Sequence, residues 1–270
     1  TGMEIPRRTK LADHANNSST RTTMNRTIMK FHIFTLFPNL FESPISEGVV
    51  GRARNSGLID IRIYNIRDYS DDKHGKVDDY PFGGGPGMLL KPGPVFESIR
   101  SNIRNGIVNA DSPLILLSPQ GRQFNQEVAK ELSHRNEISL ICGRYEGFDE
   151  RIRSNLATDE ISIGDFVLSG GEIPAITIID AVSRLLPGVI SSIESAENDS
   201  FFNGLLQHPQ YTRPSNFEGL EVPKVLLSGN HAEINEWRRK ESLKKTKSRR
   251  PDLISGAHLT EAEQEFLDNL

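Results

Sequence analysis

The chain has 270 residues, with 32 Lys plus Arg against 36 Asp plus Glu, seven histidines and a single cysteine. That length suits one domain plus a smaller one, and one cysteine excludes an intrachain disulfide framework or a cysteine-based zinc cluster. No apolar run approaches the ~20 residues of a membrane helix, so a soluble protein of a reducing, cytoplasmic compartment is expected, and the net charge of −4 taken alone argues against a nucleic-acid partner.

Residues 1–28 read as a disordered extension, because Asn16-Asn17-Ser18-Ser19-Thr20-Arg21-Thr22-Thr23 has no apolar period. Met3, Met24 and Met29 leave the start open, and a transit peptide would need an amphipathic period that this segment lacks. Phe31 to Phe37, closed by Pro38, predicts a buried strand. Ile59 to Ile66 predicts a second, alternating through Ile61, Ile63 and Asn65. A glycine-rich loop follows from Asp78 to Met88. Leu114 to Leu117 and Ile138 to Cys142 are short apolar runs. Each precedes a glycine-containing loop (Ser118 to Arg122, Gly143 to Gly147) and then a helix, one from about Asn125 to Leu132 and one starting at Asp149. Such alternation predicts a parallel sheet covered on both faces, with ligands in loops beyond the carboxyl ends of the strands.

A third loop, Ile163 to Glu172, leads into a long helix. Its apolar positions are Ile173, Ile176, Ile179, Val182 and Leu186, with Pro174 in the first turn and a stop at Pro187-Gly188. Ser191 to Ser200 is small and acidic and reads as a linker. Asn230 suits the N-cap of a helix through Trp237, and Thr260 to Glu263 has capping-box spacing. Trp237 to Arg250 carries eight Lys or Arg and one Glu. Charge runs are usually solvated helix faces, but a local field, not net charge, attracts a phosphate backbone. With Tyr211, Phe217 and Trp237 near it in the chain, this stretch weakens the inference drawn from the net charge.

The glycine-rich loop lacks the Gly-Lys-Ser/Thr of a phosphate-binding loop and the helix start of a dinucleotide fingerprint. Glycines at that density allow close backbone approach to a flat ligand. The loops after Leu117, Cys142 and Ile163 could together hold a nucleoside, read by main-chain groups and walled by Leu168 and Pro119; three ordinary turns are the alternative. Cys142 ends an apolar run and is expected as a buried small hydrophobe. The histidines show no metal-ligand spacing, so no structural metal is assigned.

The motifs together resemble a known family. They are Val77-Asp78-Asp79 through Gly83-Gly84-Gly85-Pro86-Gly87-Met88, Leu117-Ser118-Pro119-Gln120-Gly121-Arg122, Cys142-Gly143-Arg144-Tyr145-Glu146-Gly147, and Ser162-Ile163-Gly164-Asp165 through Gly170-Gly171-Glu172. His208-Pro209-Gln210-Tyr211-Thr212-Arg213-Pro214 and Val222-Pro223 through Leu227-Ser228-Gly229-Asn230-His231 follow in order. From about Met29 to the C-terminus the chain is similar to the bacterial tRNA (guanine-N1)-methyltransferases, which methylate nucleotide 37, just 3′ of the anticodon. The resemblance implies a SPOUT-class α/β fold, a parallel sheet with a deep C-terminal trefoil knot, which topology rules alone would have rejected.

The resemblance further implies a catalytic domain over residues 29–190, a flexible linker over 191–203 and a helical tRNA-binding domain over 204–270. It implies S-adenosylmethionine bound by Pro119, Gln120, Gly143, Tyr145, Glu146, Ile163, Gly164, Asp165, Phe166, Val167, Leu168, Gly170, Gly171 and Pro174. Asp199 matches the general base and Arg184 the arginine facing guanine O6. Asp78, Gly84, Gly85, His208, Tyr211, Arg213 and Arg249 are expected to touch tRNA. A homodimer with active sites across the subunit interface and a magnesium requirement complete the set; no magnesium site is derived, although Glu146 could contribute. The linker is expected to order over the site when both substrates bind. Phe82 stands where many members carry Tyr, Asn198 replaces an often acidic neighbour, and the N-terminal extension has no counterpart. Two alternatives compete: a SPOUT methyltransferase of another RNA, which for a ribose target would not need Asp199 with Arg184, and an inactive RNA-binding homologue, which could lose Asp199.

Overall fold

The structure is a computed structural model that describes residues 28–190 and 199–270. The expected N-terminal extension, apart from Ile28, and the expected linker up to Asn198 lie outside the described residues. The first body runs β1 (Met29–Thr35), α1 (Gly48–Asn55), β2 (Ile59–Asn65), β3 (Asp78–Asp79), β4 (Leu89–Leu90), α2 (Pro92–Arg104), β5 (Leu114–Gln123), α3 (Gln126–Ser133), β6 (Glu137–Cys142), α4 (Glu150–Asn155), β7 (Asp159–Ser162) and α5 (Glu172–Ser183). Beyond Asn198 come the short pair β8 (Asn216–Phe217) and β9 (Leu220–Glu221), then α6 (His231–Arg249) and α7 (Glu261–Asp268).

Five strands form one sheet in the order β2-β1-β6-β5-β7, every pairing parallel. Period-two side-chain alternation explains why the strands are apolar on both faces. Phe31 and Ile33 of β1 pack with Val50 of α1, Leu132 of α3 and Ile178 of α5. Phe34 points the other way, joining Val95 and Ile99 of α2 and Ile152 of α4. A third, smaller apolar cluster of Leu205, Leu243 and Leu267 holds α6 and α7 together.

The expected helix starts form as their caps dictate. Asn125 Oδ1 accepts from the Val128 amide at 3.0 Å, and Asp149 caps α4. Thr260 and Glu263 make a reciprocal capping box.

Three expectations are corrected. The run at Leu114 does not end at Leu117: β5 continues to Gln123, with an irregularity between Leu117 and Arg122 that throws Ser118 to Gly121 out of the ladder before pairing with β7 resumes. Helix α5 ends at Ser183, short of Pro187, and its buried face is Ala175, Ile178, Ile179 and Val182, while Ile173 is 55% exposed. Helix α6 runs twelve residues beyond Trp237. The basic segment is made of good helix formers, supported by Lys240–Glu236 and Lys244–Glu241 contacts one turn apart.

Candidate active site

The carboxyl edge of the sheet bears a cavity of about 260 Å3, walled by the β5 bulge, the loop after β6 and the loop between β7 and α5. It collects every residue expected at the cofactor except Asp165, which is not among its lining residues. Its backbone walls are drawn together by glycine: a methyl group on Gly171 would lie 2.7 Å from Cys142 Cα, and one on Gly121 2.4 Å from the backbone of Glu160 and Ile161. Arg144 and Gly170, both lining the cavity, form an antiparallel bridge between two of its walls.

Arg144 was legible only as part of a motif, yet it organises this wall. Its Nη2 stands 3.0 Å from Glu172 Oε2, and the Glu172 side chain is 1% exposed. Thr35 Oγ1 donates to the other Glu172 oxygen at 2.7 Å, while the Arg144 guanidinium lies 4.3 Å from the centre of the Phe37 ring. One buried carboxylate therefore ties the end of β1, the loop after β6 and the first turn of α5 into a single unit. Glu172 Oε2 and Arg144 Nε lack a well-aligned hydrogen bond, so charge holds the pair. Cys142 beneath them is fully buried, and burial, reinforced by the Glu172 carboxylate, pushes its thiol well up; it is no nucleophile. Arg153, also lining the cavity, is held by Glu160 at 3.0 Å and by Glu150.

The glycine-rich loop is fastened to the same wall. Glu146 N donates to Met88 O at 3.0 Å and Leu90 N to Gly147 O at 3.0 Å. Gly83, Gly84, Gly85 and Gly87 all have positive φ, which side-chain-bearing residues rarely adopt. Gly84 and Gly85 are exposed and Asp78 half-buried. Phe82 is fully exposed and Tyr80 nearly so.

Arg184, which follows α5, places Nη2 2.6 Å from Asp199 Oδ2. A cavity of about 380 Å3 opens beside the pair, lined also by Gln126 of α3, Asp180 of α5, Phe201 and Gln207. His208, Tyr211 and Arg213 lie elsewhere, around a cavity of about 350 Å3 shared with Arg238, and both His208 and Tyr211 meet the Trp237 ring. Arg249 is exposed at the end of α6. The residues expected at tRNA are thus spread over the hairpin loop and the C-terminal part.

Most of the basic run is already committed. Arg239 pairs with Glu263 at 2.6 Å and Arg250 with Asp252 at 2.6 Å. Lys245 donates to Gln207 O and Lys247 to Leu267 O. Among the described residues, Arg238 and Arg249 are the two of the eight with no such partner. Also among the described residues, no group of three or more His, Cys, Asp or Glu side chains could hold a metal ion, and no helix is long and apolar enough to cross a membrane.

Known sequences bear directly on this arrangement. Residues 29–256 match the family described as tRNA (Guanine-1)-methyltransferase TrmD. The chain is 56% identical over 242 residues to the tRNA (guanine-N(1)-)-methyltransferase of Dehalococcoides mccartyi (strain CBDB1), covering 90% of this chain and 97% of that protein. Proteins of the same name from Dictyoglomus turgidum (51% over 243 residues, 90% and 97% covered) and Staphylococcus epidermidis (51% over 240 residues, 89% and 96%) are similarly close. With the match spanning both cavities and the Arg184–Asp199 pair, the chain belongs to the tRNA (guanine-1)-methyltransferase family.

Proposed function

We propose that the chain transfers the methyl group of S-adenosylmethionine to N1 of guanine 37 in tRNA, with Asp199 as general base. The observation that carries this reading is the Arg184–Asp199 contact beside an open cavity. Guanine N1 holds a proton and is a poor nucleophile until it leaves. The Asp199 carboxylate accepts that proton, and the Arg184 guanidinium stabilises negative charge developing on O6. S-adenosylmethionine, when bound, supplies an electrophilic sulfonium methyl. The chain's part is then in-line positioning, for which the main-chain groups of residues 143–147 and 163–171 and the walls at Pro119 and Leu168 suit an adenosine.

Within one chain the two cavities are a helix apart. The first turn of α5 touches the cofactor cavity at Pro174, and Arg184 follows its last residue; twelve helical residues at 1.5 Å each span about 18 Å. The reading therefore includes a homodimer, in which the Arg184–Asp199 pair of one protomer meets the cofactor cavity of its partner. The exposed Ile173 and the largely apolar cleft between α1 and α5 suit that contact.

The trefoil knot belongs to the same proposal, for which the close backbone approaches at Gly121 and Gly171 leave room. So do the division into a catalytic unit, a linker and a tRNA-binding unit, and a cytoplasmic location beside the tRNA pool. A magnesium requirement stays part of the proposal without an assigned site: among the described residues no group of three or more His, Cys, Asp or Glu side chains could hold a metal ion, and magnesium is commonly held by one or two carboxylates together with substrate.

Unmodified tRNA transcripts incubated with methyl-labelled S-adenosylmethionine test the reading. Label should enter transcripts with guanine at position 37 and be lost when adenine replaces it. Transfer that survives the replacement would overturn the proposal.

A further inference from the structure

Residues 199–207 fold into a tight turn. Phe202 N donates to Asp199 O at 3.4 Å, Phe201 N to Leu205 O at 2.7 Å, and Gln207 N to Ser200 Oγ at 2.9 Å. Phe201 has φ of +74°, a conformation that costs a side-chain-bearing residue free energy unless its surroundings enforce it. The C-terminal end of the turn is fastened to α6, where Leu206 N meets Thr246 Oγ1 at 2.9 Å and Lys245 Nζ meets Gln207 O at 3.0 Å.

Besides Arg184, Lys130 of the sheet-bearing body grips the other end of the turn. Lys130 of α3 donates from Nζ to the Phe202 carbonyl at 2.7 Å, and the same ammonium lies 4.3 Å from the centre of the Phe202 ring. Glu127, one turn earlier, orients it at 2.9 Å. Helices α3 and α5 share one core, through Val128, Leu132, Ile178 and Val182. The turn that begins with Asp199 is therefore held at two points by two helices that pack as one face.

We propose that Lys130 is a positioning residue for the methyl transfer. By fixing the Phe202 carbonyl and ring it sets where the Asp199 carboxylate stands relative to Arg184, without touching either substrate. This rests on the reading of Asp199 as the base. Its chemistry follows from the cost of misplacement: a catalytic group shifted by about 1 Å can lose up to 100-fold in rate, and a carboxylate at the start of a turn moves with the turn.

Single-turnover methylation separates this role from binding and from product release. Lys130→Met keeps the stem and removes the ammonium; Lys130→Arg keeps a donor and a cation; Asp199→Ala reports on the underlying reading. The expected result is a rate about tenfold lower in K130M, with unchanged S-adenosylmethionine affinity and thermal midpoint, substantial recovery in K130R, and no transfer in D199A. A K130M rate within twofold of the unsubstituted protein, or K130R no better than K130M, with D199A inactive, would overturn the positioning role alone. An active D199A would overturn the base and, with it, the role of Lys130. A loss in K130M seen only as weaker S-adenosylmethionine binding would also refute it.

Discussion

Arg184 and Asp199 stand in contact, Nη2 to Oδ2 at 2.6 Å, across a chain separation of fifteen residues, and both side chains remain more than two-fifths exposed. An ion pair that open to solvent contributes at most about 1 kcal/mol to stability, so the fold gains little by keeping it. Its accessible oxygens and guanidinium face are instead what a proton transfer with charge stabilisation requires.

Asp199→Ala should therefore abolish methyl transfer while leaving the thermal midpoint within a degree or two, in keeping with the small stability at stake. S-adenosylmethionine binding, measured by calorimetry, should persist. Loss of cofactor binding together with activity would place Asp199 in the wrong half of the site.

Glu172 is the opposite case. Its carboxylate is buried against Arg144 and Thr35, and breaking one side of a buried ion pair costs about 3–5 kcal/mol. Glu172→Gln should lower the thermal midpoint and weaken S-adenosylmethionine binding at least tenfold, because the Arg144 wall loses its anchor. Binding within twofold of the unsubstituted protein would show that the cavity wall does not depend on this carboxylate.

The basic helix should contribute unequally. Arg238→Glu and Arg249→Glu, at the uncommitted positions, should each weaken tRNA binding and reduce the slope of log affinity against log salt by about one. Arg250, engaged by Asp252, should give a smaller change. Equal effects at Arg249 and Arg250 would mean that the ion pair opens on binding.

Glu263 makes stability depend on acid. The Arg239 guanidinium, aided by the Thr260 backbone, holds its carboxyl down to about 2 from an ordinary 4.5. A depressed carboxyl stabilises the fold fully above the unfolded value, and that stabilisation is lost as pH falls from about 4.5 toward 2. Arg239 is over a third exposed, so screening leaves about 1 kcal/mol. Glu263→Gln should be less stable than the unsubstituted protein at pH 7 and converge with it near pH 2; a constant difference in thermal midpoint across that range would rule the linkage out.

The fold was legible where one physical signal dominated. Phe31 to Phe34, Leu114 to Leu117 and Ile138 to Cys142 are mostly apolar because both sheet faces are covered, and Asn230 and Thr260 announced their helices as caps. The extension of β5 through Ser118 to Gln123 was not, since a bulge of Ser, Pro, Gln and Gly carries no period of two and pairing with β7 resumes only at Arg122. Nor was α6 beyond Trp237, because a helix polar on most sides has no stripe to detect. At the site, Arg184 and Asp199 were named through resemblance; no spacing rule joins residues fifteen apart around a linker. The Thr35–Glu172–Arg144 unit, assembled from three distant segments, had no local signal at all.

The most direct test is the identity of the product. After reaction of unmodified tRNA with S-adenosylmethionine, nuclease digestion and mass spectrometry should find 1-methylguanosine at position 37, and none with Asp199→Ala. A methyl group on a ribose, on another guanine atom or at another nucleotide would contradict the proposed reaction.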